Sequence, residues 1–209
     1  DREMTTRPVH QGYIELHNST AQWNADDKLT IWTSTQGAFG IRTQTAAIVG
    51  LPESSVKVVP MEIGGGFGGK INTYFDAVAA ILSKKSGQPV KIIMGRREEF
   101  EASGPTSGSH MRCKIGATKD GTLTAIDLYM AFEAGAYPGS PVGAGCMCAI
   151  APYRVENFSI DGLDVVVNKP RVAAYRAPGA PQGAYAVETM IDDLAEKLGM
   201  DPMDLRLKN

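Results

Sequence analysis

Cysteine, histidine, unbalanced charge and long apolar runs are all scarce in this 209-residue chain, and each shortage excludes something. Three cysteines, Cys113, Cys146 and Cys148, are too few and too irregularly spaced for a disulfide framework. They also fall short of the four thiolates, or two thiolates with two imidazoles, that an iron–sulfur cluster takes, so the chain is expected to carry no cluster of its own. Cys146-Met147-Cys148 lacks the second Cys or His pair of a metal site, and small buried side chains are the expectation there. A net charge of -2 supplies no basic field, which argues against nucleic acid and anionic membrane as partners. The apolar runs fall far short of the roughly eighteen residues that span a bilayer. Asp1-Arg2-Glu3 opens neither a signal nor a transit peptide, so a cytoplasmic protein is expected. The absence of Met at position 1 suggests a processed chain or an excised segment.

What the sequence does have is glycine in one dense run. Gly64-Gly65-Gly66-Phe67-Gly68-Gly69-Lys70 lies between the strand-like Val56–Ile63 and the helix-like Asn72–Lys85. A strand that empties through glycines into a helix start is an anion-binding device, since glycine lets the backbone approach a ligand and the helix offers unpaired N–H groups. The spacing fits G-x-x-x-x-G-K, but Ile71 stands where a nucleotide-binding loop needs the Ser or Thr hydroxyl that holds magnesium. It also fits G-x-G-x-x-G, yet the stretch Gln88–Ile93 offers no acid for a ribose. A glycine-rich turn packed against a sheet would explain the glycines but not the aromatic Phe67.

Along the chain, Asp1–Gln11 reads as a linker or an incoming strand, and residues 12–209 as one domain. Tyr13–His17 alternates and is expected to begin a sheet. Thr20–Asn24 and Lys28–Thr33 form a hairpin across Ala25-Asp26-Asp27 and deliver Thr35 and Gln36 to a strand end. Ile41–Val49 is a helix stopped by Gly50. In Asn72–Lys85 the residues Tyr74, Phe75, Val78, Ile81 and Leu82 recur at helical spacing, and with Ala77, Ala79 and Ala80 they leave nearly the whole cylinder apolar, which predicts a buried helix. Arg96–Phe100 reads as a solvated helix face. Lys119-Asp120-Gly121 turns a hairpin between His110–Ala117 and Leu123–Phe132. Glu133–Ala151, rich in Gly and Ala, can line a pocket or serve as a plain loop. Val155–Val167 is strand-like, and a helix is expected from Gly183 to Leu198, with Gly199 ending it. The fold class expected is α+β, mixed sheets with packed helices.

Two further segments matter beside the glycine run. Thr35-Gln36-Gly37 lies upstream of it, Gln36 preceding Phe67 by 31 residues. Ala174-Tyr175-Arg176-Ala177-Pro178-Gly179-Ala180-Pro181-Gln182-Gly183 lies downstream. Taken alone, Gln36 is a polar residue closing a strand, and Arg176 is either a capping or ion-pairing arginine or a side chain held on a rigid turn.

Together the three segments resemble the molybdenum-binding subunit of the xanthine dehydrogenase, aldehyde oxidase and carbon monoxide dehydrogenase family of molybdenum hydroxylases, from about Glu15 to Asn209. The resemblance implies the first molybdopterin-binding domain of such an enzyme, an oxidoreductase acting on an aldehyde or N-heteroaromatic substrate with oxygen derived from water. It implies molybdopterin or molybdopterin cytosine dinucleotide carrying molybdenum, which no side chain of this domain ligates. Gln36 would donate to an oxygen on molybdenum, while Gly66, Phe67, Gly68 and Arg176 would cover the cofactor. Ile71, Ala144 and Pro178 would face the substrate. Purine-oxidising relatives have an acid and an arginine where Ile71 and Ala144 stand, and carbon monoxide dehydrogenase has a cysteine where Ala177 stands, so neither substrate is expected. The family's glutamate base lies in a second molybdenum domain, and iron–sulfur clusters and FAD lie on partner domains or subunits, so catalysis is expected only in a larger complex. The alternatives are a non-catalytic pterin-binding or interaction module and a glycine-loop nucleotide-binding protein.

Overall fold

A computed structural model describes residues 1–209. In chain order it contains β1 (Arg2–Thr6), β2 (Asn18–Trp23), β3 (Leu29–Thr33), α1 (Ala38–Val49), β4 (Val56–Pro60), α2 (Asp76–Ser86), β5 (Val90–Ile93), α3 (Arg96–Ala102), β6 (Ser109–Ala117), β7 (Leu123–Gly135), α4 (Val142–Ala149), β8 (Asn157–Val166), α5 (Ala180–Leu198) and α6 (Pro202–Lys208). Two units emerge, one from residues 1–9 with 105–209 and one from residues 10–104. The architecture is α+β, with two mixed four-stranded sheets and six helices.

In the first unit the strand order is β1-β6-β7-β8, antiparallel except for the parallel β7–β8 pair. The start of the chain is thus an incoming strand over Arg2–Thr6. Alternation along β6, and along β7 from Ile126 onward, turns Met111, Cys113, Ile126, Leu128, Met130 and Phe132 inward, against Ala186, Val187, Met190, Ile191 and Ala195 of α5. The β6–β7 hairpin turns where expected, with Gly121 at φ +86° and the Thr118 N–H donating to the Thr122 carbonyl at 2.9 Å. Helix α5 begins three residues earlier than expected, because Pro181 sits in its first turn, where a missing N–H costs nothing.

The second unit has strand order β4-β3-β2-β5, with α1 and α2 packed on it. Its core is Ala21, Trp23, Leu29, Ile31, Ala46, Val56, Ala79 and Ala80. The β2–β3 hairpin forms as expected, and α1 ends on Gly50 in the left-handed conformation.

Two expectations fail in this unit. Tyr13–His17 is not a strand, because the Arg96 guanidinium takes the carbonyls of Tyr13 and Ile14 at 2.8 and 2.6 Å and leaves them no ladder. Helix α2 is not buried all round. It starts at Asp76, after the Thr73 hydroxyl bonds Asp76 and the Thr73 N–H bonds Gln44, and it buries a narrow face of Ala77, Ala79, Ala80 and Ser83. Ser83 accepts from the Trp23 backbone at 2.9 Å, which draws the helix close to the sheet and leaves Val78, Ile81 and Leu82 exposed.

Candidate functional site

The glycine run does not feed a helix. Strand β4 ends at Pro60 and α2 begins only at Asp76, so the helix N-terminus lies six residues beyond Lys70 in the chain and the expected strand–glycine–helix anion device is not formed. Lys70 is also unavailable to a phosphate. Its side chain is fully buried, and Nζ donates to the Glu15 carbonyl at 2.8 Å, the Glu15 carboxylate at 3.0 Å and the Ser34 hydroxyl at 3.0 Å, above the Tyr13 ring. Both observations remove the nucleotide-loop reading.

Glu15 is the organising carboxylate that the sequence did not reveal. It accepts from the Gly64 N–H at 2.7 Å and the Ser34 hydroxyl at 2.6 Å, while the Glu15 N–H donates to the Gly64 carbonyl at 3.1 Å. Partial burial opposes its ionisation, but the bonds from Ser34, Gly64 and Lys70 outweigh it and hold the carboxyl at about 2. A Cβ on Gly64 would stand 2.5 Å from Glu15 Cβ, so glycine there permits this close pairing.

Gln36 is fastened to the same loop. Its N–H donates to the Lys70 carbonyl at 2.9 Å, and its Oε1 accepts the backbone N–H groups of Gly68 at 2.8 Å and Lys70 at 3.2 Å. With Oε1 committed, Nε2 is left as an outward donor on an exposed side chain. Gly66 is the position that makes this possible, since a Cβ there would lie 2.5 Å from Oε1. Beside it, Phe67 is held at φ +50° and Gly68 at φ +101°. Only four non-glycine residues have positive φ, and Phe67, Arg176 and Ala177 are three of them. Left-handed backbone in residues with side chains is costly and concentrates where a ligand is clamped. Ile71, exposed, follows the loop.

A buried network braces this platform. Glu99, with no exposed side-chain surface, accepts from the Tyr13 hydroxyl at 2.6 Å and from the His17 N–H at 2.7 Å, and lies 2.6 Å from His17 Nδ1. Burial opposes its charge, yet these bonds keep the carboxyl down at about 2, while burial and Glu99 push the Tyr13 phenol up. Helix α3 is therefore not simply a solvated face. Only its Arg97–Glu101 ion pair fits that description.

In the first unit, Arg176 and Ala177 have φ of +25° and +57°, and Gly179, at +85°, caps α5. Three glycines let this segment meet α4. A Cβ on Gly179 would collide with the Pro141 carbonyl oxygen, one on Gly183 would lie 2.7 Å from the Gly145 carbonyl oxygen, and one on Gly145 would lie 3.1 Å from the Gly179 carbonyl oxygen. Ala144 on α4 and Pro178 in the turn thus belong to one tightly packed corner. Glu133–Ala151 is no plain loop, since it supplies the end of β7 and α4. Arg176 neither caps a helix nor pairs with a carboxylate; it lines a cavity of about 390 Å³. Cys113 is buried, and burial pushes its thiol up to about 11, but Cys148 is exposed and Cys146 half-buried, contrary to expectation for that pair. No three His, Cys, Asp or Glu side chains converge to hold a metal ion.

A family model described as the molybdopterin cofactor-binding domain matches residues 1–209. The chain is 35% identical over 213 residues to the nicotinate dehydrogenase large molybdopterin subunit of Eubacterium barkeri, covering all of this chain and 50% of that protein. It is 34% identical over 214 residues to the aldehyde oxidoreductase molybdenum-binding subunit of Escherichia coli, covering 100% of this chain and 28% of that protein. Among solved structures it is similar to quinoline 2-oxidoreductase from Pseudomonas putida 86, with a TM-score of 0.92 and 28% identity over 98% of this chain and 27% of that one. It is likewise similar to carbon monoxide dehydrogenase from Oligotropha carboxidovorans, with a TM-score of 0.89 and 32% identity over 100% of this chain and 27% of that one. The chain therefore spans half or less of the length of these relatives.

Proposed function

The chain belongs to the molybdopterin cofactor-binding domain family, and from that membership we propose that it holds the molybdopterin centre of a molybdenum hydroxylase that oxidises an aldehyde or N-heteroaromatic compound. The observation that carries this reading is the Gln36 amide. Its oxygen is consumed by two backbone N–H groups, so it presents a donor at a fixed orientation beside the strained Phe67–Gly68 backbone.

The residues fit such a group. Positive φ at Phe67 and Gly68 turns successive backbone units away from any regular ladder, and Gly68 carries no side chain to hold a ligand off. When bound, the cofactor supplies the two-electron oxidation and the insertion of a water-derived oxygen. The chain's own part is positioning. In the second unit Gln36 Nε2 would donate to the cofactor's polar edge, the Phe67 ring would shield it from water, and Gly66 and Gly68 would admit the backbone; in the first unit Arg176 is the motif residue that would offer a cation. Ile71 in the second unit, and Ala144 and Pro178 in the first, are apolar residues that would offer no partner to the polar edges of a purine. The names of the Eubacterium and Pseudomonas relatives, nicotinate dehydrogenase and quinoline oxidoreductase, favour an N-heteroaromatic ring. General base, iron–sulfur clusters and FAD are assigned to a second molybdopterin-binding domain and to partner subunits of a complex, in the cytoplasm. No helix here is long and apolar enough to cross a membrane.

Molybdenum analysis of the native complex, with identification of the co-purifying chains, tests this reading. Within that complex Gln36→Ala is expected to retain molybdenum but lose turnover by about a hundredfold, the scale for one oriented donor. Gly68→Leu is expected to expel the metal. Full activity in Gly68→Leu would show the site to be misassigned.

A further inference from the structure

The cavity of about 390 Å³ in the first unit has a composition that cofactor positioning by Arg176 does not explain. Arg7 and Arg176 both line it, and neither is paired with a carboxylate, although Arg2, Arg42, Arg97 and Arg206 all are. Two unneutralised guanidinium groups on one small cavity repel each other unless an anion joins them. Gln182 also lines it. This side chain is only 8% exposed and makes no hydrogen bond within the chain, and its amide atoms are not sealed off from the cavity. As the third residue of the 19-residue α5, Gln182 further presents a backbone N–H that helix geometry leaves without an intrahelical acceptor, at the positive end of the helix dipole. The remaining wall is Val9, Tyr175 and Pro181 together with Thr6 and Thr106.

We propose that this cavity is a binding site for the carboxylate of a small aromatic or heteroaromatic acid. Arg7 and Arg176 would neutralise the carboxylate, the Gln182 amide would donate to it, and the ring would lie against Val9, Tyr175 and Pro181. The volume falls within the range of small-molecule pockets and leaves room for an apolar body beside the charge. Arg7 lies far from the cofactor motifs in sequence, and its guanidinium makes no bond within the chain, so its place here is not explained by the packing of β1.

The site shares Arg176 with the cofactor reading and otherwise rests on Arg7, Gln182 and the cavity they line. Failure to find molybdenum would sink the cofactor reading and leave it standing, and loss of acid binding would do the reverse. The test is calorimetric titration of the full chain with sodium benzoate, benzamide and sodium phosphate at constant ionic strength. Benzoate is expected to saturate one site, and benzamide, the uncharged analogue, to bind at least about tenfold more weakly. Arg7→Gln is expected to weaken benzoate by about tenfold or more and Gln182→Ala by about threefold or more, while Arg42→Gln, in the other unit, leaves it unchanged. Arg7 is exposed and makes no bond within the chain, so its variant keeps the fold and reads binding alone. No saturable benzoate binding below about 10 mM, equal binding of benzamide, or a benzoate affinity indifferent to Arg7 would each overturn the proposal. So would phosphate binding tighter than benzoate, since that would mark a site for a bare anion.

Discussion

Replacing Lys70 by Met separates a structural lysine from a ligand-binding one. The ammonium is buried without exposed surface and donates three bonds, two of them to Glu15 and one to Ser34. Methionine keeps the approximate volume but leaves the Glu15 carbonyl, the Ser34 hydroxyl and the carboxylate short of a donor. Breaking a buried pair from one side costs about 3–5 kcal/mol, because the remaining charge is stranded. Glu15 retains 29% of its side-chain exposure and the Gly64 and Ser34 bonds, so water relieves part of that loss and the lower end, about 3 kcal/mol, applies. At about 2–4 °C per kcal/mol for a chain of this size, the midpoint of thermal unfolding should fall by about 6–12 °C. Adding Glu15→Gln to Lys70→Met should recover about half of the loss, since it removes the stranded charge, and urea denaturation of the four proteins closes the cycle. A single variant with wild-type stability would refute the argument, and ATP binding that vanished with Lys70 would restore the nucleotide loop in its place.

Three other outcomes are expected. Gly66→Ala should cost about 1–2 kcal/mol in urea denaturation by displacing the Gln36 amide from two backbone N–H groups, and the cost should shrink in a Gln36→Ala background, where the colliding atom is gone. Ala177→Gly should leave stability unchanged or raise it by up to about 1 kcal/mol, because relief of φ +57° offsets the added freedom of the unfolded chain; a clear loss in thermal unfolding would contradict the strain. Glu99, fully buried and held at about 2 against an ordinary 4.5, has its folded-state pKa depressed, so its contribution is present above about pH 4.5 and lost as pH falls toward 2. That contribution is about 3 kcal/mol, and Glu99→Gln should flatten this part of the stability–pH curve; an unchanged acid limb would show that the charge is not what the network holds.

The parts of the fold legible in the sequence are those decided by neighbours in the chain. The β2–β3 and β6–β7 hairpins follow from short turns, and the ends of α1 and α5 follow from Gly50 and Gly199, all local chemistry. Helix α2 departs from its apolar pattern because side-chain size decides what reaches the sheet: small Ala77, Ala79 and Ala80 touch it, and the bulkier Val78, Ile81 and Leu82 are left outside. Tyr13–His17 alternates like a strand, but its carbonyl acceptors belong to Arg96, 82 residues or more away. The motif residues Gln36, Gly66 and Phe67 can be picked out because their types and order are unusual. Glu15 cannot, since nothing near it in the chain announces Lys70 or Gly64 as partners, and neither can Arg7 or Gln182, which acquire meaning only where β1 and α5 bring them to one cavity.

The contact among Gly145, Gly179 and Gly183 limits how this corner can evolve. A methyl group on Gly179 or Gly183 would run into backbone, and one on Gly145 would press on the Gly179 carbonyl oxygen, so a mutation at Gly179 or Gly183 would separate α4 from the start of α5 rather than reshape the space beside them. Freedom to vary is confined to the positions interleaved with the glycines. Ala144 next to Gly145, Pro178 before Gly179 and Gln182 before Gly183 can change in bulk, charge or hydrogen bonding while the frame stays rigid. On the proposed reading, a lineage acquiring a new ligand would drift at these three sites and at Arg7, and a library built on them would vary the corner without first sacrificing the fold.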